Sequence, residues 1–314
     1  MLLQHLDGIP FRKLADEMDL SVGKVYTKCF KVAGNLPHCA DITRKYCSRY
    51  CGILIVDGKF ISVKGYMKKI PFLYGIDYLT HDIPTYTMAV SESYRSWFRY
   101  FNSLRLLNYP LTAIVCDDNE NIAKACLGVY PQAIIQLCQN HFKENIRRSL
   151  DLQNDEIHRQ FMDEIEDLFR GKRSEDDFNR VGKRIYQKYA DNQLFVAILL
   201  QINARKSVLL GYLKGHGIPC TTNLIESFNS HFEGRFKSVK EYQSFHHAQI
   251  WINAMIVRRR FKEFTDCEGK FRHLNGKKSF EKSRRPDVDI STFPDIETVQ
   301  KWSLFLADTI FVMI

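Results

Sequence analysis

Apolar positions along this chain follow two different rhythms. Residues 53–56 are four consecutive branched aliphatics and predict a strand buried on both faces, since a half-exposed strand alternates with polar residues. Asp57 and Gly58 end that run. Residues 111–116 form a second apolar run that ends in Asp117, Asp118 and Asn119. Between the two, residues 72–78 and 85–90 read as strands, separated by the turn-rich stretch 80–84. Ser93 caps a predicted helix whose Trp97, Phe98, Phe101 and Leu104 mark a buried face. A short helix over 121–127 and a fifth strand over 133–137 follow. From residue 150 to 220 the strand rhythm gives way to helical stripes: Ile157, Phe161, Ile165 and Leu168; then Phe178, Val181, Ile185 and Tyr189 behind a Ser174 cap; then the segment 194–213.

The first three strands suggest an antiparallel meander. The order strand, strand, strand, helix, strand, helix, strand is that of an RNase H-like mixed α/β sheet, with carboxylates at the ends of its first and fourth strands. The block 150–220 then reads as an all-helical insertion carrying no evident chemistry. Before the sheet, residues 10–18 predict one helix and Ser21 the cap of a second, running to about residue 33. On that second helix Val22, Val25, Cys29 and Val32 make an apolar stripe, and Lys24, Lys28 and Lys31 share another face. Leu14-Ala15, Met18, Leu20-Ser21 and Val25 fit a helix-turn-helix, whose second helix would enter a DNA major groove; the alternative is a helical hairpin with a solvated lysine face. Residues 37–49 read as a polar connector. The stretch 269–289 is basic and loop-like, and 296–314 predicts a terminal helix.

Candidate chemistry begins with Asp57 and Asp117. If their strands are neighbours, the two acids meet at one sheet edge, where charges about 4 Å apart repel by roughly 4 kcal/mol at an effective dielectric of 20. Such a pair needs a shared proton or a cation, and all-oxygen ligands with open positions favour magnesium or manganese. Asp57 alone would as readily cap the turn at Gly58. Cys138 and His141 have ligand-like spacing but supply only half a tetrahedral site; His141 is placed near the Asp117 edge. Glu226 lies beside the helical stripe of Leu224, Ile225, Phe228 and Phe232, among Thr222, Asn223 and Asn229. Between residues 233 and 263 stand seven basic residues (Arg235, Lys237, Lys240, Arg258, Arg259, Arg260, Lys262) against three glutamates, interleaved with Phe236, Tyr242, Phe245 and Trp251. That mixture suits a nucleic-acid backbone, though Trp251 and Ile252 also fit a core.

Bulk composition narrows the class. The 314 residues are 45% hydrophobic and 26% charged, which excludes wholesale disorder. A net charge of +9 and a pI near 9.0 favour a polyanionic partner. The nine cysteines are odd in number and scattered, which points to a reducing interior. Cys39, Cys47, Cys51 and His38 do not have the spacing of paired zinc-binding clusters. The apolar runs at 195–200 and 310–314 are shorter than the ~20 residues of a membrane span.

Taken together, Val56-Asp57-Gly58-Lys59, Val115-Cys116-Asp117-Asp118-Asn119, the stretch 138–145 from Cys138 through His141, and Thr222-Asn223-Leu224-Ile225-Glu226-Ser227-Phe228-Asn229 resemble the DDE transposases of bacterial insertion sequences, in the branch related to Mutator-like transposases. The resemblance spans about residues 50–262. It implies an RNase H-like core over 50–149 and 221–265 interrupted by the 150–220 insertion, a DNA-binding unit over 1–40 and a tail over 266–314. It implies Asp57, Asp117 and Glu226 as a triad holding two magnesium (or manganese) ions, with Asp118 the competing choice for the second position. It implies cleavage and strand transfer of double-stranded DNA at element ends, a homo-oligomer on that DNA, and a bacterial, nucleoid-associated location. Relatives often carry a zinc module ahead of the helix-turn-helix, so Met1 reads as the start of a shortened chain. The alternatives are a catalytically inactive DNA-binding relative and a stand-alone nuclease of the same fold.

Overall fold

The computed structural model describes residues 1–236 and 239–289. Four helices come first: α1 (Leu2–Asp7), α2 (Phe11–Glu17), α3 (Val22–Gly34) and α4 (Cys39–Tyr46). The chain then runs through β1 (Ile53–Ile61), β2 (Ile70–Asp77), β3 (Tyr86–Met88), α5 (Tyr94–Leu106), β4 (Ala113–Cys116), α6 (Glu120–Val129), β5 (Ile134–Leu137) and α7 (Gln139–Arg148). Next come α8 (Glu156–Leu168), α9 (Glu175–Lys188) and α10 (Gln193–Leu209), and after them α11 (Asn223–Phe236), α12 (Phe245–Phe261) and α13 (Ser279–Ser283).

The strands form one sheet in the order β3-β2-β1-β4-β5. The first three are antiparallel, and β1, β4 and β5 are parallel. This is the RNase H-like mixed α/β order. Residues 53–56 are buried throughout, as a strand covered on both faces requires. Gly52 has a φ of 80° as the chain enters β1, and a Cβ there would stand 2.3 Å from the Pro110 carbonyl oxygen. One expectation needs correcting: Asp57 does not end its strand. Pairing with β2 continues through Ile61↔Ile70, whereas pairing with β4 is confined to residues 53–55. Asp57 thus stands mid-strand, at the point where β1 loses its parallel neighbour.

The helical block covers the β5 edge. Phe161 and Phe195 stack at 4.1 Å between centroids, inside a core with Ile165, Leu168, Phe178 and Ile185. Ile157 is exposed, so the α8 stripe starts one turn later than expected. Buried Gln136 on β5 fastens the block: its amide nitrogen donates to the Leu209 carbonyl at 3.0 Å and its oxygen accepts from the Tyr212 amide at 2.8 Å. At Gly211 a Cβ would come within 2.4 Å of the Ile135 oxygen, so only glycine permits this approach. Contrary to the reading of short apolar runs, residues 193–213 are long and apolar enough to cross a membrane. Here Phe195, Ile198, Ile202 and Leu209 are buried in the protein, while Arg205 and Lys206 pair with Asp118 and Glu175.

The N-terminal helices pack on the rest. Leu14, Ala15, Val25, Cys29 and Ala33 are buried, but Val22 is exposed and does not join the expected stripe. Tyr26 Oη lies 2.7 Å from His247 Nε2, and the Phe30 and Trp251 rings are 6.1 Å apart, so α3 docks on α12. Trp251 and Ile252 accordingly belong to the core. Three helices escaped the sequence reading; one of them, α13, stands inside the stretch 269–289 expected to be loop-like and buries Phe280. α1 buries Leu2 and Leu6, and α4 replaces the expected connector, because Cys39, Ile42, Thr43 and Tyr46 form a narrow buried stripe among polar neighbours. The expected terminal helix over 296–314 lies outside the described residues.

Candidate active site

Register brings the first two acids together. Ile55 pairs with Val115 in the parallel ladder, so two residues further on Asp57 and Asp117 are level and on one face. Asp57 Oδ1 accepts from the Gly58 amide at 2.7 Å, and Oδ2 accepts from Asn229 Nδ2 at 2.5 Å. Asn229 is itself fixed by the Tyr74 hydroxyl, which donates to its Oδ1 at 2.8 Å. Burial raises the pKa of Asp57, and the Asn229 and Gly58 hydrogen bonds and the charges of Lys59 and His141 pull it back. Asp117 is raised to about 6, chiefly by burial, with the fields of Asp57 and Glu226 adding to it and His141 opposing it.

His141 connects the third acid. Cys138 occupies the N-cap of α7 and His141 the first turn, so the three-residue spacing turns both side chains toward the end of β4. His141 Nδ1 pairs with Asp117 Oδ1, and Nε2 lies 3.7 Å from Glu226 Oε1. Glu226 projects from the first turn of α11 and remains exposed. Buried Thr222, just before that helix, sets its hydroxyl 2.8 Å from Glu226 Oε1, 3.2 Å from His141 Nδ1 and 3.1 Å from Cys138 Sγ. With one proton, it donates to only one of these at a time. Cys138 Sγ also accepts from the Thr222 amide at 3.3 Å, and burial raises its pKa. Ligand atoms of Asp117, Cys138 and His141 all lie within 4.8 Å of one another.

Asp118, the competitor for the second position, turns to the insertion and pairs with Arg205 at 2.8 Å. Thr222 and Asn229 were legible as polar companions of Glu226, four residues before it and three beyond it at helical spacing. Glu92 went unread, because only the fold brings the β3–α5 loop to β1. Its Oε1 accepts from Trp97 Nε1 at 3.1 Å and Asn119 Nδ2 at 3.2 Å. Burial and the field of Asp57 raise its pKa.

The expected basic surface is largely dismantled. Arg260 is fully buried and bidentate to Asp82 at 2.9 and 2.8 Å. Arg258 holds Asp7 at 3.1 and 2.7 Å. Arg235 donates to the Leu6 carbonyl at 3.0 Å. Arg259 is half-buried, 4.4 Å from the Phe228 ring and 4.7 Å from the Phe264 ring. These arginines do not form a solvent-facing patch. Lys240 is exposed, as are Lys24, Lys28 and Lys31 on α3; Lys237 lies outside the described residues.

An RNase H-like sheet thus brings Asp57, Asp117 and Glu226 close enough for their fields to meet at Asp117. The family follows from the sequence match: residues 50–258 fit the family described as "Transposase, Mutator family". The chain belongs to that family and is a transposase by membership. No curated protein matches it in sequence. Among solved structures it is similar to the Drosophila P element transposase strand transfer complex, at 9% identity and a TM-score of 0.42, over 75% of this chain and 85% of that one.

Proposed function

We propose that this chain cleaves DNA at the ends of a mobile element and joins them to target DNA, using Asp57, Asp117 and Glu226 as the acids of one phosphoryl-transfer site. The observation that carries this reading is His141 between Asp117 and Glu226, with Asp57 level with Asp117. The donor set fits a hard divalent cation. Mutual repulsion helps hold the Asp117 pKa near 6, and a bound cation would relieve that repulsion. Asp57, Asp117 and Glu226 would hold magnesium or manganese as a pair of ions, supplying Lewis acidity toward the attacking and leaving oxygens of an in-line displacement.

The chain's own groups do the positioning. Asn229 fixes the rotation of the Asp57 carboxylate. Thr222 holds Glu226 toward His141. The His141 imidazole, paired at Nδ1, can carry a proton between Asp117 and a phosphate oxygen. Double-stranded DNA would meet the exposed Lys24, Lys28 and Lys31 face of α3, with α2 and α3 acting as a helix-turn-helix and two copies of the chain assembling on paired ends.

A nicking and strand-joining assay on element-end DNA tests the site. Asp57→Asn, Asp117→Asn and Glu226→Gln should each abolish cleavage while DNA binding persists. Cleavage retained by any one of them removes that residue from the site. Wild-type protein that binds element ends but never cuts them with magnesium or manganese would be the inactive DNA-binding relative instead.

A further inference from the structure

Among the described residues, Arg259 has no ion-pair or hydrogen-bond partner. Its guanidinium lies between the Phe228 and Phe264 rings, 4.4 and 4.7 Å from their centroids, and its buried Nε has no hydrogen-bond partner. The carboxylate whose field it feels most, Asp266, is instead 3.7 Å from His231 Nε2. Buried charges are nearly always paired, since the unpaired state is costly. Two aromatic faces recover part of that cost, but they satisfy none of the donors. Burial lowers the pKa of the guanidinium, and Asp266 only partly offsets it.

Arg259 lines a cavity of about 120 Å³, several times the space one water needs. Arg235, Arg258 and Lys262 line it too, but Arg258 and Lys262 already share Asp7 at 2.7 and 3.1 Å. Arg235 gives its Nε to the Leu6 carbonyl, and among the described residues the guanidinium of Arg259 brings to this cavity donors that no carboxylate or carbonyl takes up. A planar fork with free donors in a cationic recess is suited to a phosphate.

We propose that this cavity takes a backbone phosphate of the DNA strand on which the active site works, with Arg259 as the binding group. The proposal rests on the transposase reading above and adds a contact to it. Placement supports a DNA phosphate over a free one. His231 and Arg235, at the cavity, follow Glu226 on α11 by five and nine residues, or about 8 to 14 Å along the axis, and stand roughly 140 to 180° around the helix from it. The cavity and the acids thus lie on opposite flanks of one helix. The ridge between them is low: Asn223, Ser227, Ser230 and Gly234 are exposed, and a Cβ at Gly234 would meet nothing within 4 Å. A strand crossing that ridge from Glu226 reaches the cavity within a few phosphates.

The test uses the full chain, a random-sequence duplex and EDTA, with binding followed by anisotropy across a salt series. Arg259→Met should lower the slope of log affinity against log salt by about 0.9, one phosphate contact, and Arg259→Lys should restore most of it. In parallel, Tm is measured in potassium phosphate and in potassium chloride at equal ionic strength. Phosphate should raise the wild-type Tm and leave that of Arg259→Met unmoved, and in potassium chloride the Met variant should melt no lower than wild type. A slope unchanged in Arg259→Met overturns the proposal and leaves the transposase reading standing; if the phosphate effect persists alongside it, the cavity is a free-anion site. A lower Tm in the Met variant with the slope intact assigns Arg259 to holding α11 on α12 and also overturns the proposal. Wild-type protein that does not bind duplex at all removes the transposase reading first.

Discussion

Arg260→Met tests the reassignment of the arginine cluster from surface to core. Arg260 gives Nε and Nη2 to Asp82 at 2.9 and 2.8 Å, and Nη1 to the Cys39 carbonyl and Thr43 Oγ1, both at 3.0 Å. Asp82 also accepts from Ser279 Oγ at 3.0 Å and from Ser283 Oγ at 2.5 Å. One ion pair, with both side chains fully buried, therefore ties α4, the β2–β3 loop, α12 and α13 together. Methionine has similar volume but leaves Asp82 charged, buried and short of two donors. Breaking such a pair from one side costs about 3–5 kcal/mol, which at roughly 2–4 °C per kcal/mol lowers Tm by roughly 6–20 °C. Urea denaturation and thermal melting measure this directly, and adding Asp82→Asn to Arg260→Met should recover part of the loss because the stranded charge is gone. At temperatures where the variant is folded, the salt dependence of its DNA binding should match wild type. A stability change within about 1 kcal/mol, or a salt slope reduced by about 0.9, would return Arg260 to the DNA surface.

Other outcomes follow from the site. Folding raises the Asp117 pKa from an ordinary 3.8 to about 6, so its contribution to metal-free stability is fully present below the unfolded value and is lost as pH rises through about 6. Divalent ions take the deprotonated carboxylate, so the Tm gain from magnesium over EDTA should grow between about pH 5 and about pH 7 and shrink in Asp117→Asn; an equal gain at both pH values would exclude Asp117 as a ligand. Asn229→Ala removes a hydrogen bond that holds the Asp57 pKa down. The acid limb of the cleavage pH profile should move upward, with about 1–3 kcal/mol of stability lost at the orphaned Tyr74 hydroxyl, whereas an unmoved limb would mean that Asn229 does not act through Asp57. Replacing Lys24, Lys28 and Lys31 by glutamine should cut the salt slope by up to roughly 2–3; unchanged slope and affinity would remove α3 from the DNA interface.

Local pattern and long-range pairing divide what could be read in advance. The apolar runs before Asp57 and Asp117 are strands in their own right, because burial on both faces leaves no polar position. Their parallel neighbourhood follows from the helix between β3 and β4, since a parallel strand needs a crossover. The failures share a cause. Nothing near Arg258-Arg259-Arg260 in the sequence shows that Arg260 meets Asp82, 178 positions away, or that Arg258 meets Asp7. A run of charge reads as surface until the fold supplies its partners. α4 was hidden by the reverse effect, its four buried residues being outweighed locally by Asp41, Arg44 and Lys45. Glu92 became a neighbour of Asp57 only through tertiary approach, with its Oε1 3.3 Å from where a Cβ on Gly58 would stand.

The helical insertion takes part in the electrostatics of the site. Asp117 and Asp118 are adjacent, yet their environments are opposed: Asp117 faces Asp57, Glu226 and His141, while Asp118 is neutralised by Arg205 of α10. Without Arg205 a further unbalanced carboxylate would stand beside three acids that already repel one another, and the Asp117 proton would be held more tightly. Arg205 keeps its aim because α10 is anchored to the sheet edge through Gln136 and the close approach at Gly211. Geometry that looks like mere covering of β5 thus fixes which of two neighbouring aspartates is left to bear the charge at the end of β4. The chain of cause runs from a buried glutamine and a glycine in the insertion, through one guanidinium, to the acid that stands level with Asp57.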